Sequence, residues 1–278
     1  MRDIAVDRPR GVSYVSAMNP ITDAQVDAFY EHGYFVHPDV FGRGELASMR
    51  EAFDRLERIA CQFSEPTIYR GTQFVVQRVP YGEGTRARID RIVWCGAADP
   101  LLSSFGRDPR LVSMAARLLG SDSMEQLINQ AHFKLPGDGV SFPWHQDSSH
   151  RRYGQSEWND VNGRGSYVQT IVALDEVTED NGPIELIPGS CRLGHLELPS
   201  DGELPKEVDP SAAIAATMRA GSVLVFGPFT IHRSLPNRSR TPRRIFINGY
   251  AYPGANARVY PGDGAGRTLT LERIAKAG

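Results

Sequence analysis

Helical periodicity confined to the first 120 residues, then a succession of short β-like runs broken by Gly and Pro, predicts a mainly β fold. The expected form is a β-sandwich or barrel with N-terminal helices packed on it. A further observation bears on the organisation: no internal repeat, linker or low-complexity tract divides the 278 residues. Residues 21–278 therefore read as one domain, preceded by a loose N-terminal arm over residues 1–20 that shows no period.

Thr22-x-x-Gln25 is a capping box, in which hydroxyl and amide satisfy each other's orphan backbone donors. It starts a helix over 23–32 that presents Val26, Phe29 and Tyr30 at helical spacing and stops at Gly33. Tyr34-Phe35-Val36 reads as a short strand, and residues 44–60 as a helix whose stripe of Leu46, Met49, Phe53 and Leu56 is core. Residues 74–76 and 89–94 read as strands, with a flexible loop over 80–84 between them. Five arginines (Arg70, Arg78, Arg86, Arg88 and Arg91) fall in this region, and two readings stand: a solvated charged surface, or a lid that touches substrate. Another helix spans 108–119 and ends at Gly120.

From Met124 the pattern turns to strands. Alternation over 126–135 places Gln130, His132 and Lys134 on one face, and 136–139 is a turn. A polar loop over 148–165 follows, then strands over 166–174 and 184–187, a loop with a short helix over 194–215, and strands near 222–226, 229–233 and 244–252.

The formal net charge of −2 gives no reason to expect nucleic acid or an anionic membrane as partner. Three cysteines far apart argue against a disulfide framework or a thiolate zinc site and suit a reducing cytoplasm. No secretory leader and no apolar run of membrane-spanning length is present, so a cytoplasmic protein is expected, monomer or homodimer.

The chemistry centres on Phe142-Pro143-Trp144-His145-Gln146-Asp147-Ser148-Ser149. Side chains at i and i+2 of an extended strand share a face, so His145 and Asp147 would converge on one point, as two of the three ligands of a non-haem Fe(II) site do. Downstream lie His232, Asn237 and, eleven positions past His232, Arg243. With Asn181-Gly182-Pro183, Pro188-Gly189-Ser190, residues 221–226 and His232-x-Ser234-x-x-Asn237, this ordered set resembles the phytanoyl-CoA dioxygenase family of Fe(II)/2-oxoglutarate oxygenases, from about Ile21 to Tyr252. Cys191 departs from the family's usual His after Pro-Gly-Ser, which touches a peripheral turn and not the metal site.

The resemblance implies a double-stranded β-helix, the cupin-like jelly roll, with the metal in its mouth. It implies Fe(II) on His145, Asp147 and His232, with 2-oxoglutarate and O2 on the remaining positions, and release of succinate and CO2 as a small-molecule substrate is hydroxylated. Arg243 is the expected partner of the far carboxylate of 2-oxoglutarate, because a guanidinium makes paired hydrogen bonds; Arg244 would face the other way. Ser234 would share that carboxylate, with Lys134 and His132 on the same wall. His150 and His195 read as ordinary surface or hydrogen-bonded histidines, and Trp144 as core or a stacking surface. Arg151, Arg152 and Trp158 are the candidate substrate contacts, the two arginines suggesting an anionic substrate unless they merely hold their own loop.

Two alternatives carry other outcomes. The same chemistry can end in desaturation or cyclisation, whereas halogenation is disfavoured because Asp147 is retained where halogenases of this kind carry Gly or Ala. A non-catalytic metal-binding jelly roll needs no carboxylate anchor, so Arg243 argues against it.

Overall fold

Thr22 starts α1 (Asp23–His32) by the expected capping box: its Oγ1 accepts from Gln25 N at 3.2 Å, and Gln25 Oε1 accepts from Thr22 N at 2.9 Å. Gly33, at φ 91°, closes the helix and leads into β1 (Tyr34–His37). The computed structural model describes residues 20–259 and 266–271, so the arm expected over 1–20 falls, but for Pro20, outside the described residues. Helix α2 (Arg43–Ala60) buries Leu46, Met49, Phe53 and Leu56 as its spacing predicts. The Phe53 ring meets Phe133 at 5.1 Å and Phe246 at 6.4 Å between centroids. Full burial of one such side chain contributes about 1.5–3 kcal/mol.

β2 (Thr67–Tyr69), β3 (Thr72–Tyr81) and β4 (Gly84–Val93) follow. The flexible loop expected over 80–84 is instead the tip of a hairpin. Pro80 pairs with Thr85 and Tyr81 with Gly84, and Gly82, at φ 57°, supplies the left-handed turn residue. Short helices α3 (Cys95–Ala98) and α4 (Pro100–Phe105) lead to α5 (Pro109–Leu119), which is capped by the Asp108 side chain on Arg110 N and closed by Gly120.

The remaining strands are β5 (Ser123–Lys134), β6 (Phe142–His145), β7 (Tyr167–Ala173), β8 (Ile184–Leu186), β9 (Ile214–Ala215), β10 (Val223–Phe226), β11 (His232–Ser234), β12 (Arg243–Ala251) and β13 (Arg267–Thr270), with the one-turn helix α6 (Asp147–His150) after β6. Their pairings are antiparallel and build two sheets. The larger runs β1-β10-β7-β12-β5-β4-β3-β2, with β13 on β5; the smaller runs β6-β11-β8-β9. Successive strands cross between the sheets, the winding of a jelly roll.

The large sheet is buried on both faces. Val223 and Val225 of β10, Val168 and Val172 of β7, and Phe246 and Tyr250 of β12 join the helices in one core. Leu224, Phe226, Tyr167, Ile171, Ile245 and Ile247, their alternating neighbours, join the small sheet's Ile184 and Leu186 in another. Period-two alternation therefore decides which side chains meet helices and which face the space between the sheets.

Candidate active site

His145 and His232 are register partners in the antiparallel pair β6 and β11, and their ring centroids stand 4.2 Å apart. Both rings are held the same way: His145 Nδ1 lies 2.8 Å from Pro143 O, and His232 Nδ1 lies 2.9 Å from Thr230 O. A carbonyl only accepts, so each ring, when neutral, carries its hydrogen on Nδ1 and offers Nε2, the form that binds a metal. Burial, reinforced by His145, pushes His232 down to about 3 and so keeps it neutral.

The strand expected to run through Asp147 stops at His145, and Asp147 opens α6. Convergence survives because Gln146 remains extended, at φ −115° and ψ 143°, which returns Asp147 to the side of His145. Asp147 is 5% exposed, and its Oδ2 is buried with no hydrogen-bond partner among the described residues. Burial raises its pKa, but His232, Arg151, His145 and His150 more than offset that, so the carboxyl is held below its ordinary range and stays ionised.

Ligand atoms of His145, Asp147 and His150 lie within 4.8 Å of one another. His150, read as an ordinary surface histidine, is exposed, yet three residues past Asp147 one helical turn brings it back beside the pair. His232, the third ligand expected from the sequence, stands outside that group but pairs with His145 across the strands. It is buried and its ring is fixed by a carbonyl, whereas His150 is exposed and its ring makes no hydrogen bond among the described residues.

Arg243, Ile245 and Ile247 project from one face of β12 into a cavity of about 300 Å³ between the sheets. Arg243 is 1% exposed. Its Nη2 donates to Gly182 O at 2.6 Å and to Ser234 Oγ at 3.3 Å, while Nε and Nη1 are buried without a partner among the described residues. Burial lowers it to about 10, still charged at neutral pH. Gly182 is required where it stands: its φ is +81°, and a Cβ there would meet Leu235 O at 2.5 Å. Arg244 faces the helices, where Asp175 takes its Nε at 2.9 Å and Nη2 at 3.0 Å and Asp54 takes its Nη1.

His145, Asp147, His232, Ser234, Arg243, His132 and Arg151 all line this cavity. His132 Nε2 lies 3.0 Å from Gln130 Oε1, and burial drives its pKa well below the ordinary histidine value. Lys134, read as part of the same wall, lies outside the lining. Its Nζ bonds Ser234 Oγ at 2.5 Å and also Leu235 O, so it braces Ser234 from behind.

Two substrate candidates fall away. Arg152 is exposed outside the lining at φ 64°, because α6 ends two residues earlier and the chain turns out. Trp158 is buried in the core, stacked on Tyr153 at 5.3 Å. Trp144 is core as well, under the Arg233 guanidinium, and His195 Nδ1 meets Ser148 Oγ at 2.8 Å. The hairpin arginines divide between both readings. Arg78 and Arg86 donate to backbone carbonyls, Arg88 pairs with Asp90, and Arg91 lines the cavity with Gln73. Gln73, Gln169 and Arg258 carried no signal in sequence, since the two glutamines reach the cavity by strand pairing and Arg258 from the loop after β12.

The sequence matches the phytanoyl-CoA dioxygenase (PhyH) family across residues 29–245. L-proline trans-4-hydroxylase of Streptomyces griseoviridis is 25% identical over 265 residues, covering 85% of this chain and 88% of that one. Ectoine dioxygenase of Halomonas elongata is 27% identical over 250 residues, covering 82% and 69%. The crystal structure of EvdO2 from Micromonospora carbonacea var. aurantiaca, complexed with 2-oxoglutarate, aligns with a TM-score of 0.63 at 24% identity over 87% of this chain and 95% of that one. That likeness shows the shared jelly-roll fold.

Proposed function

This chain belongs to the phytanoyl-CoA dioxygenase family, and from that premise we propose which of its residues carry the family's chemistry. It is an Fe(II)- and 2-oxoglutarate-dependent dioxygenase that hydroxylates a small molecule. His145, Asp147 and His232 hold the iron, and Arg243 with Ser234 holds the far carboxylate of 2-oxoglutarate. One observation carries this reading: an ionised Asp147 with a buried, unpartnered Oδ2 and a charged Arg243 with buried, unpartnered Nε and Nη1 face one cavity. Two uncompensated buried charges cost several kcal/mol unless ligands complete them, and a metal cation and a carboxylate are the ligands of matching sign.

With Fe(II), 2-oxoglutarate and O2 bound, oxidative decarboxylation to succinate and CO2 supplies the oxidising power that converts a substrate C–H to C–OH. The chain's own residues do the rest. Pro143 O and Thr230 O fix the two imidazoles, so Nε2 of each stays aimed and proton-free. Gly182 O and Ser234 Oγ orient the Arg243 fork toward its partner, and Lys134 fixes Ser234. Ile171, Ile245, Ile247 and Phe226 line the cavity with apolar surface that excludes water from the reacting C–H.

We read residues 21–278 as a single jelly-roll oxygenase domain, monomeric or homodimeric, and place it in the cytoplasm, where its unpaired cysteines suit a reducing environment. No helix among the described residues is long and apolar enough to cross a membrane. The test is succinate release by purified protein given Fe(II), 2-oxoglutarate and O2, with tight anaerobic binding of 2-oxoglutarate that depends on the metal. Absence of both removes the assignment.

A further inference from the structure

Among the described residues, four guanidiniums line the cavity, those of Arg91, Arg151, Arg243 and Arg258, beside one acidic side chain, Asp147. Arg243 is the expected partner of 2-oxoglutarate, and Arg151 and Arg258 have partners of their own. Arg258 is anchored through Nη1 on His150 O at 2.5 Å, and the Arg151 guanidinium lies 5.2 Å from the Tyr167 ring centroid. Arg91 differs: it is half-buried, and among the described residues it makes no hydrogen bond or ion pair.

Its position separates it from the co-substrate anchor. Arg91 and Val93 lie on one face of β4 and both line the cavity, while β5 stands between β4 and β12. Arg91 is thus two strand spacings, about 10 Å, from the strand that bears Arg243. One bound 2-oxoglutarate whose far carboxylate sits on Arg243 leaves Arg91 facing the rest of the cavity. Gln73 and Gln130 flank Val93 on the neighbouring strands, and Val93, Ile128 and Phe142 add apolar surface to the same cavity for a short aliphatic body.

We propose that Arg91, seconded by Arg151, forms an anion subsite distinct from Arg243 and takes a carboxylate or phosphonate group of a small aliphatic substrate, holding its C–H toward the metal position. This rests on the reading that Arg243 is taken by 2-oxoglutarate. It also relocates the positive charge that the sequence suggested at the entrance: Arg152 is outside the cavity, and Arg91, more than fifty residues upstream of the candidate ligands, stands in it. Charge-assisted bonds from a guanidinium to an oxyanion are strong and directional, so one such contact fixes both the substrate's end and its orientation.

The test is anaerobic calorimetric titration of the wild-type protein already loaded with Fe(II) and 2-oxoglutarate. The probes are L-proline against L-prolinamide, and methylphosphonate against its dimethyl ester. At least one acid should bind saturably, tenfold or more tighter than the partner in which its oxyanion is masked, and which acid does so separates a carboxylate site from a phosphonate site. Arg91→Gln should weaken that acid at least tenfold while the 2-oxoglutarate Kd moves less than twofold, and Arg91→Lys should recover part of the loss. The subsite is overturned if neither acid outbinds its partner, if the acid competes with 2-oxoglutarate, or if Arg91→Gln binds it as wild type does. Failure of the wild type to bind 2-oxoglutarate with metal is a separate result, and it would remove the dioxygenase reading instead.

Discussion

Arg243 and Arg244 are neighbours in sequence and opposites in circumstance. On the helix side of β12, Arg244 is completed by Asp175 and Asp54, and Asp175 also takes Arg50 at 3.2 Å. On the cavity side, Arg243 is more deeply buried, yet two of its three nitrogens lack a partner among the described residues, and Asp147 in the same cavity lacks one at Oδ2. A fold seldom leaves a buried charge open, because desolvation is not repaid. The difference teaches where structure ends and function begins: charges on the outer face are matched by the chain itself, while those on the inner face await something else.

The strongest way to break this contrast is at the metal end. Asp147→Ala and His232→Ala should each lower substrate-dependent succinate release by more than about 100-fold and weaken Fe(II) binding, since even residues that only orient ligands are worth about 10–100-fold. Wild-type turnover of either variant under limiting iron would show that the ligands are assigned wrongly, and His150 is then the residue to exchange.

The arginine pair itself comes next. Arg243→Lys should raise the 2-oxoglutarate requirement by about 10-fold or more, because an ammonium cannot reproduce the paired bonds of a guanidinium. Arg244→Lys should leave that requirement unchanged and cost about 1 kcal/mol of stability, the worth of a partly buried hydrogen bond. A reversed pair of results would put the anchor on the other face of the strand.

Gly182→Ala sharpens the comparison without touching a charge. A residue with a Cβ is strained at its positive φ and collides with Leu235 O, which together cost about 1–3 kcal/mol. The same shift moves the carbonyl that orients Arg243, so 2-oxoglutarate affinity should fall along with the melting temperature. A lowered melting temperature with unchanged affinity would mean that Arg243 is positioned without Gly182.

The smallest effect is at Lys134, a buried ammonium that sits beside Arg243 with no acid in contact. Burial, then Arg243, pushes it down to about 6 from an ordinary value of 10.5. Between those two values the unfolded chain binds more protons than the folded one, so stability rises with pH across the window. Below about pH 6 the folded protein must carry the charge as well, and the penalty is then at its fullest. Lys134→Met should therefore improve in Tm relative to wild type more at pH 6 than at pH 9. An identical difference at the two pH values would show that the ammonium is accommodated without strain.

Much of this protein is written locally. The capping box at Thr22, the stripe from Leu46 to Leu56, the Asp108 cap and the alternation of β7 and β12 depend on contacts within a few residues or on period alone, and they appear where the sequence places them. The opposite facing of Arg243 and Arg244 was legible for the same reason, since strand alternation carries one inward and the other outward, whereas the set of His145, Asp147 and His232 came from the resemblance in motif order. The hairpin tip at 80–84 was misread because Pro and Gly mark turns and loops alike, and only pairing to Thr85 and Gly84 separates the two. Other features were decided by tertiary structure alone. Arg91 becomes a cavity residue because β4 pairs with β5 at Ile92 and Val93, His150 because α6 turns back over one helical turn, and Trp158 leaves the site because Tyr153 and Tyr167 enclose it. Arg91 depends on which distant strand arrives alongside, and no periodicity within a segment encodes the identity of its neighbour; His150 and Trp158 depend on how the irregular chain after β6 folds, which carries no period to read.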